Sequence, residues 1–446
     1  MKKLNITFCS FPDFSSNAKA LYEYMKNRYK DNMNLIWAVN SDDMLNKLKA
    51  ENVEVYKIGN VDYYEKMKDV DVFFTTHCNL LNEKNEKSIY VELWHGISPK
   101  QVGYMSDNML DFDKEWYESA KERVDYIILP SDFWRVIFAT RFNIEYSRTL
   151  SLGYPKLNYI INPKAKENLR IVLNEYVSDF NKIIYYMPTF RKGCNRGQEA
   201  QVNTNNIFNI QDYNEEELFK FLEENNYLLC IKKHPSEELD LKYAVSKNVR
   251  VIEEKALSDN NLTVNDILDA ADLMITDYSS LGIEFVFLNK PVVYLTNDIE
   301  EYRKNRGFTF GNIDFWMPGY QVKDISQLKD GISDSLSENF KYKEEFKKKR
   351  ELWFSNLKDG GCDNICDYFF DGNNLNSKLK SKGLGVVGTL KARVDELSRI
   401  LDEKNEVIAQ REARIKELDD FIAQIINSKG WKFLEGIRKL GRPFKK

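Results

Sequence analysis

Short apolar runs that recur between longer charged stretches constrain this chain most. Six occupy the first third: LNITFCS at 4–10, NLIWAV at 34–39, VEVYKI at 53–58, DVFFTT at 71–76, SIYVELW at 88–94 and DYIILP at 125–130. Each is rich in β-branched and aromatic residues and too short for a core helix, so each reads as a strand of a parallel sheet covered by helices on both faces. A second series follows the charged stretch at 164–182: KIIYYMP at 182–188, YLLCIKK at 227–233, VRVIE at 249–253, DLMITD at 272–277 and PVVYLT at 291–296. Helical patterns such as EEELFKFLEEN and NDILDAA lie between them. The pattern predicts an α/β protein with two Rossmann-like domains, 1–165 and 166–370, and a cleft beyond the carboxyl ends of the strands. With 446 residues, 43% of them hydrophobic, the chain has apolar material for two cores, and a single small module is excluded.

After residue 370 the pattern changes. Residues 371–388, DGNNLNSKLKSKGLGVVG, have no period and read as a linker. Between 389 and 427, Val394, Leu401, Ile408, Ile415 and Ile422 recur every seventh residue, with Leu397, Leu418 and Ile425 three positions later and the cations Lys404 and Arg411 in the middle slots. That seam predicts a C-terminal coiled-coil helix and a homo-oligomer; a long amphipathic helix packed on its own domain is the alternative.

The formal net charge of −4 argues against a globally basic nucleic-acid binder, and no nucleic-acid partner is expected. The average conceals an asymmetry. Residues 428–446 hold seven basic side chains and one acid, a net +6, which leaves −10 for residues 1–427. In that tail Phe433, Ile437, Leu440 and Phe444 fall at helical spacing beside Trp431 and Leu434, with Lys and Arg interleaved. Such a stripe suits an anionic membrane surface; docking on the acidic body is the alternative. The opening MKKLNITFCSF is too short in apolar residues for a signal-peptide core, and no apolar run of about 18 residues predicts a spanning helix. A cytoplasmic protein, peripheral on the inner face of the membrane, is therefore expected. The six scattered cysteines are expected to be reduced and to serve packing.

Two of the three histidines directly follow predicted strands, one in each half: Trp94-His95-Gly96 and Lys233-His234-Pro235. Placed there, both can face one cleft, whereas an isolated histidine is more often a satisfied core or surface residue. His77 also ends a strand but has nothing distinctive around it and is assigned a structural role. A further strand runs into Thr276, Asp277, Tyr278, Ser279 and Ser280 and then a helix-like LGIEFVFLN. Serines at a helix start cap it, and the N–H groups exposed there also bind phosphate.

Seven segments, in order, resemble the CDP-glycerol:poly(glycerophosphate) glycerophosphotransferases, the teichoic-acid and capsule polymerases. They are ELWHGISPK at 92–100, GYPK at 153–156, YYMPTFRK at 185–192, IKKHP at 231–235, ADLMITDYSSLGIEF at 271–285, KPVVYL at 290–295, and YRKNRGF at 302–308 with MPG at 317–319. The resemblance implies a two-Rossmann glycosyltransferase-B fold whose second half binds a CDP-alditol, CDP-glycerol or CDP-ribitol, and transfers its alditol phosphate to an undecaprenyl-linked acceptor, releasing CMP. Both motif histidines are functional in that family and match His95 and His234. Two stretches depart from the family pattern, Ile97-Ser98-Pro99-Lys100 after His-Gly and GYPKLN in place of a GYPRND-like motif, both in the half that handles the acceptor.

A mechanism follows as an expectation. A neutral imidazole suits removal of the acceptor's proton, and His95 is the candidate base. His234, Lys233, Arg191 and the Ser279/Ser280 helix start, with Thr276 and Asp277 in the same segment, are expected to meet the donor's phosphates. Glu284, one turn into the helix, is expected to accept bonds from ribose hydroxyls or to be a solvated helix carboxylate. Lys100 is placed on the acceptor side. With no acidic cluster in the sequence, neither a catalytic metal nor a cofactor is expected. Two alternatives remain open: a nucleotide-sugar glycosyltransferase of the same fold, and a non-catalytic membrane scaffold that uses the coiled coil and the tail.

Overall fold

The computed structural model describes residues 3–29, 32–107, 109–188, 206–232, 246–355, 357–371 and Lys416. Residues 1–373 form one compact unit and 374–446 a second. Most of the linker, the coiled coil and the basic tail therefore lie outside the described residues, as do His234, Lys233 and Arg191.

All eleven apolar runs form strands. In the first half these are β1 (Leu4–Cys9), β2 (Met33–Val39), β3 (Glu54–Lys57), β4 (Val72–Thr75), β5 (Ile89–Glu92) and β6 (Tyr126–Leu129), joined at the edge by β7 (Thr149–Ser151). They make a parallel sheet in the order β3-β2-β1-β4-β5-β6-β7. The second half adds β8 (Lys182–Tyr186), β9 (Tyr227–Lys232), β10 (Val249–Ile252), β11 (Leu273–Thr276), β12 (Val292–Leu295) and β13 (Tyr320–Val322), parallel in the order β10-β9-β8-β11-β12-β13. Strand order reverses between β1 and β4 in one sheet and between β8 and β11 in the other. Ligands of open α/β sheets bind beyond the carboxyl ends at such points, where helix starts and loops diverge. The central strands β4, β5, β11 and β12 are buried at every position, which is why their sequences are continuous apolar runs without alternation.

The two halves share one core. Trp134 of the first packs on Trp316 of the second with ring centroids 5.7 Å apart, and Phe133 meets Phe315 at 5.6 Å. A second cluster, with Ile184, Leu218, Leu229, Leu273 and Leu328, fills the other face of the second sheet. Near its end the described chain returns to the first half. Arg28 there pairs with Asp363, Asp367 and Asp371 at 2.6 to 2.7 Å, and Phe369 packs edge-on to Tyr126 and Phe74. The crossing point needs glycine: Tyr154 N donates to Gly360 O, and a Cβ on Gly153 would lie 2.4 Å from that oxygen.

The cysteines among the described residues are free and buried. No helix among them is long and apolar enough to cross a membrane.

Candidate active site at the junction of the two halves

Beyond β5 the chain makes a tight, heavily bonded turn. Trp94 takes a left-handed φ of +53°, unfavourable for an aromatic residue, and surrounding bonds hold it there. The Glu92 carboxylate, wholly buried, accepts from Trp94 N through one oxygen at 2.8 Å and from Thr75 Oγ1 and Cys78 N through the other, each at 2.7 Å. Burial lifts this carboxyl to about 7 against the opposing pull of those donors. Asn17, also buried, donates to the carbonyls of Leu93 and Trp94 at 3.0 and 2.8 Å.

The turn delivers His95, partly buried, between two rings. His77 stacks on it with centroids 3.8 Å apart and planes within 6°, and Trp94 lies at 4.5 Å. Its Nδ1 is 3.0 Å from the carbonyl of Thr76. A carbonyl only accepts, so Nδ1 carries the proton and Nε2 is left with the lone pair. Burial pushes His95 down to about 4; the Thr76 carbonyl opposes the shift and the Lys156 cation adds to it. Burial, then His95 and Lys156, pushes His77 down to about 3. Both imidazoles are therefore neutral at pH 7. His77, which the sequence left as structural, is in stacking contact with the candidate base. Its signal was its place at the end of β4, matching that of His95 at the end of β5.

In the second half β11 runs into the segment Asp277 to Ser280. The Thr276 hydroxyl is spent inside the fold, donating to Met187 O at 2.6 Å. Asp277 is buried, and Tyr278 donates to Asp298 while its ring packs, tilted, on that of Tyr302 with centroids 4.1 Å apart. Ser279 is the N-cap of the helix Ser280–Phe287, its hydroxyl accepting from Leu281 N at 3.3 Å. The two halves meet here, because a Cβ on Gly96 would lie 3.3 Å from Ser280 Oγ. His95 is thus one residue from contact with the helix start.

Glu284 stands differently from the expectation of a ribose contact or a solvated carboxylate. It is wholly buried, and its Oε1 is taken by Lys156 Nζ at 2.6 Å and Tyr154 OH at 2.9 Å. The physical reason is that this face of the helix packs on the first half, whose GYPK segment supplies both partners. Lys100 is anchored through its backbone, its carbonyl accepting from Arg141 Nη2 and Thr309 Oγ1 at 2.9 and 3.0 Å. Thr309 N also donates to Pro99 O, so the loop after His-Gly is tied to the segment after YRKNRGF. An open groove of 560 Å³ lined by Tyr104, Val136, Ala139, Thr140, Asn143, Ile144 and Tyr146 contains none of these groups.

The profile of the family described as CDP-Glycerol:Poly(glycerophosphate) glycerophosphotransferase matches residues 1–370. The chain belongs to this family. Among its relatives, the teichoic acid glycerol-phosphate primase of Bacillus subtilis (strain 168) is 27% identical over 333 residues, covering 71% of this chain and 80% of the relative. The teichoic acid poly(glycerol phosphate) polymerase of Bacillus spizizenii (strain ATCC 23059 / NRRL B-14472 / W23) is 26% identical over 335 residues, covering 72% and 80%. The solved wall teichoic acid polymerase TagF shares the fold, with a TM-score of 0.65 at 22% identity over 86% of this chain and 91% of that one. This glycerophosphotransferase is therefore an enzyme of two parallel-sheet halves, and its candidate site lies where those halves touch.

Proposed function

We propose that the protein transfers an alditol phosphate, glycerol phosphate foremost, from a CDP-alditol to a hydroxyl of a lipid-linked teichoic-acid or capsule-type acceptor and releases CMP. The observation that carries this reading is the junction: a neutral imidazole with its lone pair on Nε2, one residue from a serine-capped helix start. The names of the teichoic acid relatives support the substrate class.

In the transfer, the acceptor oxygen attacks the phosphorus that bears the alditol. A new P–O bond forms as the P–O bond to CMP breaks, the electron pair leaves on the CMP phosphate, and the acceptor's proton passes to His95 Nε2. The N–H groups and dipole at the Ser280 helix start favour the donor's negative charge. His234, Lys233 and Arg191 complete that role in this reading, with Lys100 on the acceptor side. The reaction needs no metal and no cofactor. The coiled coil joins copies of the chain, and the basic tail holds the enzyme to anionic lipid on the inner face of the membrane, where an undecaprenyl-linked acceptor resides.

The test is to incubate the purified protein with CDP-glycerol, CDP-ribitol or UDP-sugars and a lipid-linked acceptor, with and without EDTA, and to identify the nucleotide released. CMP release that EDTA leaves intact and His95→Ala abolishes is expected. UMP or UDP release without CMP would overturn the proposal in favour of a nucleotide-sugar glycosyltransferase.

A further inference from the structure

Lys156 occupies the middle of the junction. Its side chain is 7% exposed, and its ammonium reaches both halves, donating to the carbonyl of His95 at 2.9 Å and to Glu284 Oε1 at 2.6 Å. Its backbone N donates to Asn17 Oδ1 at 2.9 Å, and the Asn17 amide holds the carbonyls of Leu93 and Trp94. Three consecutive carbonyls, those of residues 93, 94 and 95, are thus gripped by two connected side chains. On the other side Glu284 rides the helix that starts at Ser280, one turn from its cap.

A buried ion pair is a weak source of stability, because desolvating two charges offsets most of their attraction, and apolar replacements of similar volume often do as well. What such a pair can supply is register. Here the pair and its neighbours connect the turn that carries the imidazole to the helix whose start faces it.

We propose that Lys156 is a positioning residue for the phosphoryl transfer: bridging the His95 carbonyl and Glu284, it holds the His95 imidazole in register with the Ser280 helix start. The inference rests on His95 being the base. A misplacement of about 1 Å in such a constellation costs roughly a hundredfold in rate, so the effect falls on turnover rather than on donor binding. The ammonium has a second consequence. The charged or titratable groups that face it among the described residues are His77 and His95 from the first half and Glu284 from the second, with the Tyr154 ring 5.1 Å away. Its charge is one of the causes that hold both imidazoles neutral, so its removal raises the pH at which His95 takes a proton.

The experiment uses the full chain as Lys156→Met, Lys156→Arg, Glu284→Gln and the double replacement Lys156→Met/Glu284→Leu, beside His95→Ala. CMP release from CDP-glycerol gives kcat and KM across pH, and thermal melting reports stability. Lys156→Met is expected to lower kcat at least tenfold with KM for CDP-glycerol within threefold, and to move the acid limb of kcat/KM to higher pH. Glu284→Gln should lower kcat in the same direction, and Lys156→Arg should recover most of it. The double replacement leaves no unpaired buried charge, so it should regain the melting temperature but not the turnover. Native kcat and an unmoved acid limb in that double replacement, with His95→Ala inactive, would overturn the positioning role and leave the base assignment standing. Native turnover by His95→Ala would overturn both.

Discussion

Turnover should survive an acidification that silences an ordinary histidine. Burial pushes the His95 imidazole down to about 4, against the opposing Thr76 carbonyl and with help from the Lys156 cation. At pH 5.5 an imidazole with the unperturbed value of ~6.5 is roughly 9% neutral, while one at ~4 is roughly 97% neutral, a tenfold difference in competent base. The assay is CMP release measured as kcat/KM from pH 8 to pH 4. The curve should stay level down to about pH 5 and reach half its plateau near the value of about 4.

The same shifts act on folding. Both imidazoles bind their proton less readily in the folded chain, to which His77 adds a value of about 3, so the unfolded chain holds more protons between these values and the ordinary one. Stability is complete above an unfolded pKa of ~6.5 and is lost as pH falls through the folded values. At pH 5.5 the loss is on the order of 1 to 2 kcal/mol per histidine, together about 3, within the ~5–15 kcal/mol typical of a folded domain. The protein should remain folded while the assay is read, and circular dichroism at each pH checks this. A kcat/KM that halves near pH 6.5 with the dichroism intact, in Glu92→Gln as well as in the native chain, would refute a buried His95 as the base.

Asn17→Ala removes two donors from buried carbonyls and an acceptor from Lys156 N. Its cost should be about 2–4 kcal/mol in chemical denaturation, with a loss of kcat as the His95 turn loosens. Gly153→Ala forces a methyl to within 2.4 Å of Gly360 O, so the melting temperature should fall sharply while Gly59→Ala, which meets no atom within 4 Å but has a φ of +95°, loses less. Trp134→Ala empties space between the halves and should cost about 3–5 kcal/mol. For the tail, sedimentation with anionic liposomes should retain the full chain and release a chain ending at Asn427; equal binding by both would reject the tail as an anchor.

The strands were legible because burial on both faces forces an unbroken apolar run, and such runs stand out against charged helices. The edge strands β7 and β13 were not, because three residues such as Thr149-Leu150-Ser151 are too few for any period. Their pairing is decided by the neighbouring strand. The return of residues 362–371 to the first half was equally hidden, since the three aspartates that meet Arg28 resemble any solvated helix face. At the site, His95 and the Ser279 cap could be read from position alone: a strand end and a helix start advertise themselves in sequence. Glu284 could not, because an acidic residue one turn into a helix looks the same whether it faces water or a lysine from another domain.

What decides a histidine's chemistry is which ring nitrogen keeps its lone pair, and that choice is made at a distance along the chain. The proton of His95 is fixed on Nδ1 by a carbonyl nineteen residues earlier, at the end of β4, while the ring is covered by His77 from that same strand end. Parallel pairing of β4 with β5, Thr75 opposite Glu92, brings the two strand ends level, so the residues that follow them meet as a stacked pair. A slip of one residue in that register would turn Glu92 from the position where it binds Thr75, Cys78 and Trp94, and with it the turn that aims the imidazole. The buried carboxylate therefore favours one register of two central strands, the one in which three donors oppose the cost of its burial. Glu92→Gln tests this directly, since an amide can accept at one end only. It should leave at least one of the three donors unmatched and lower the melting temperature, whereas an unchanged melting temperature would show that the turn holds its shape without the carboxylate.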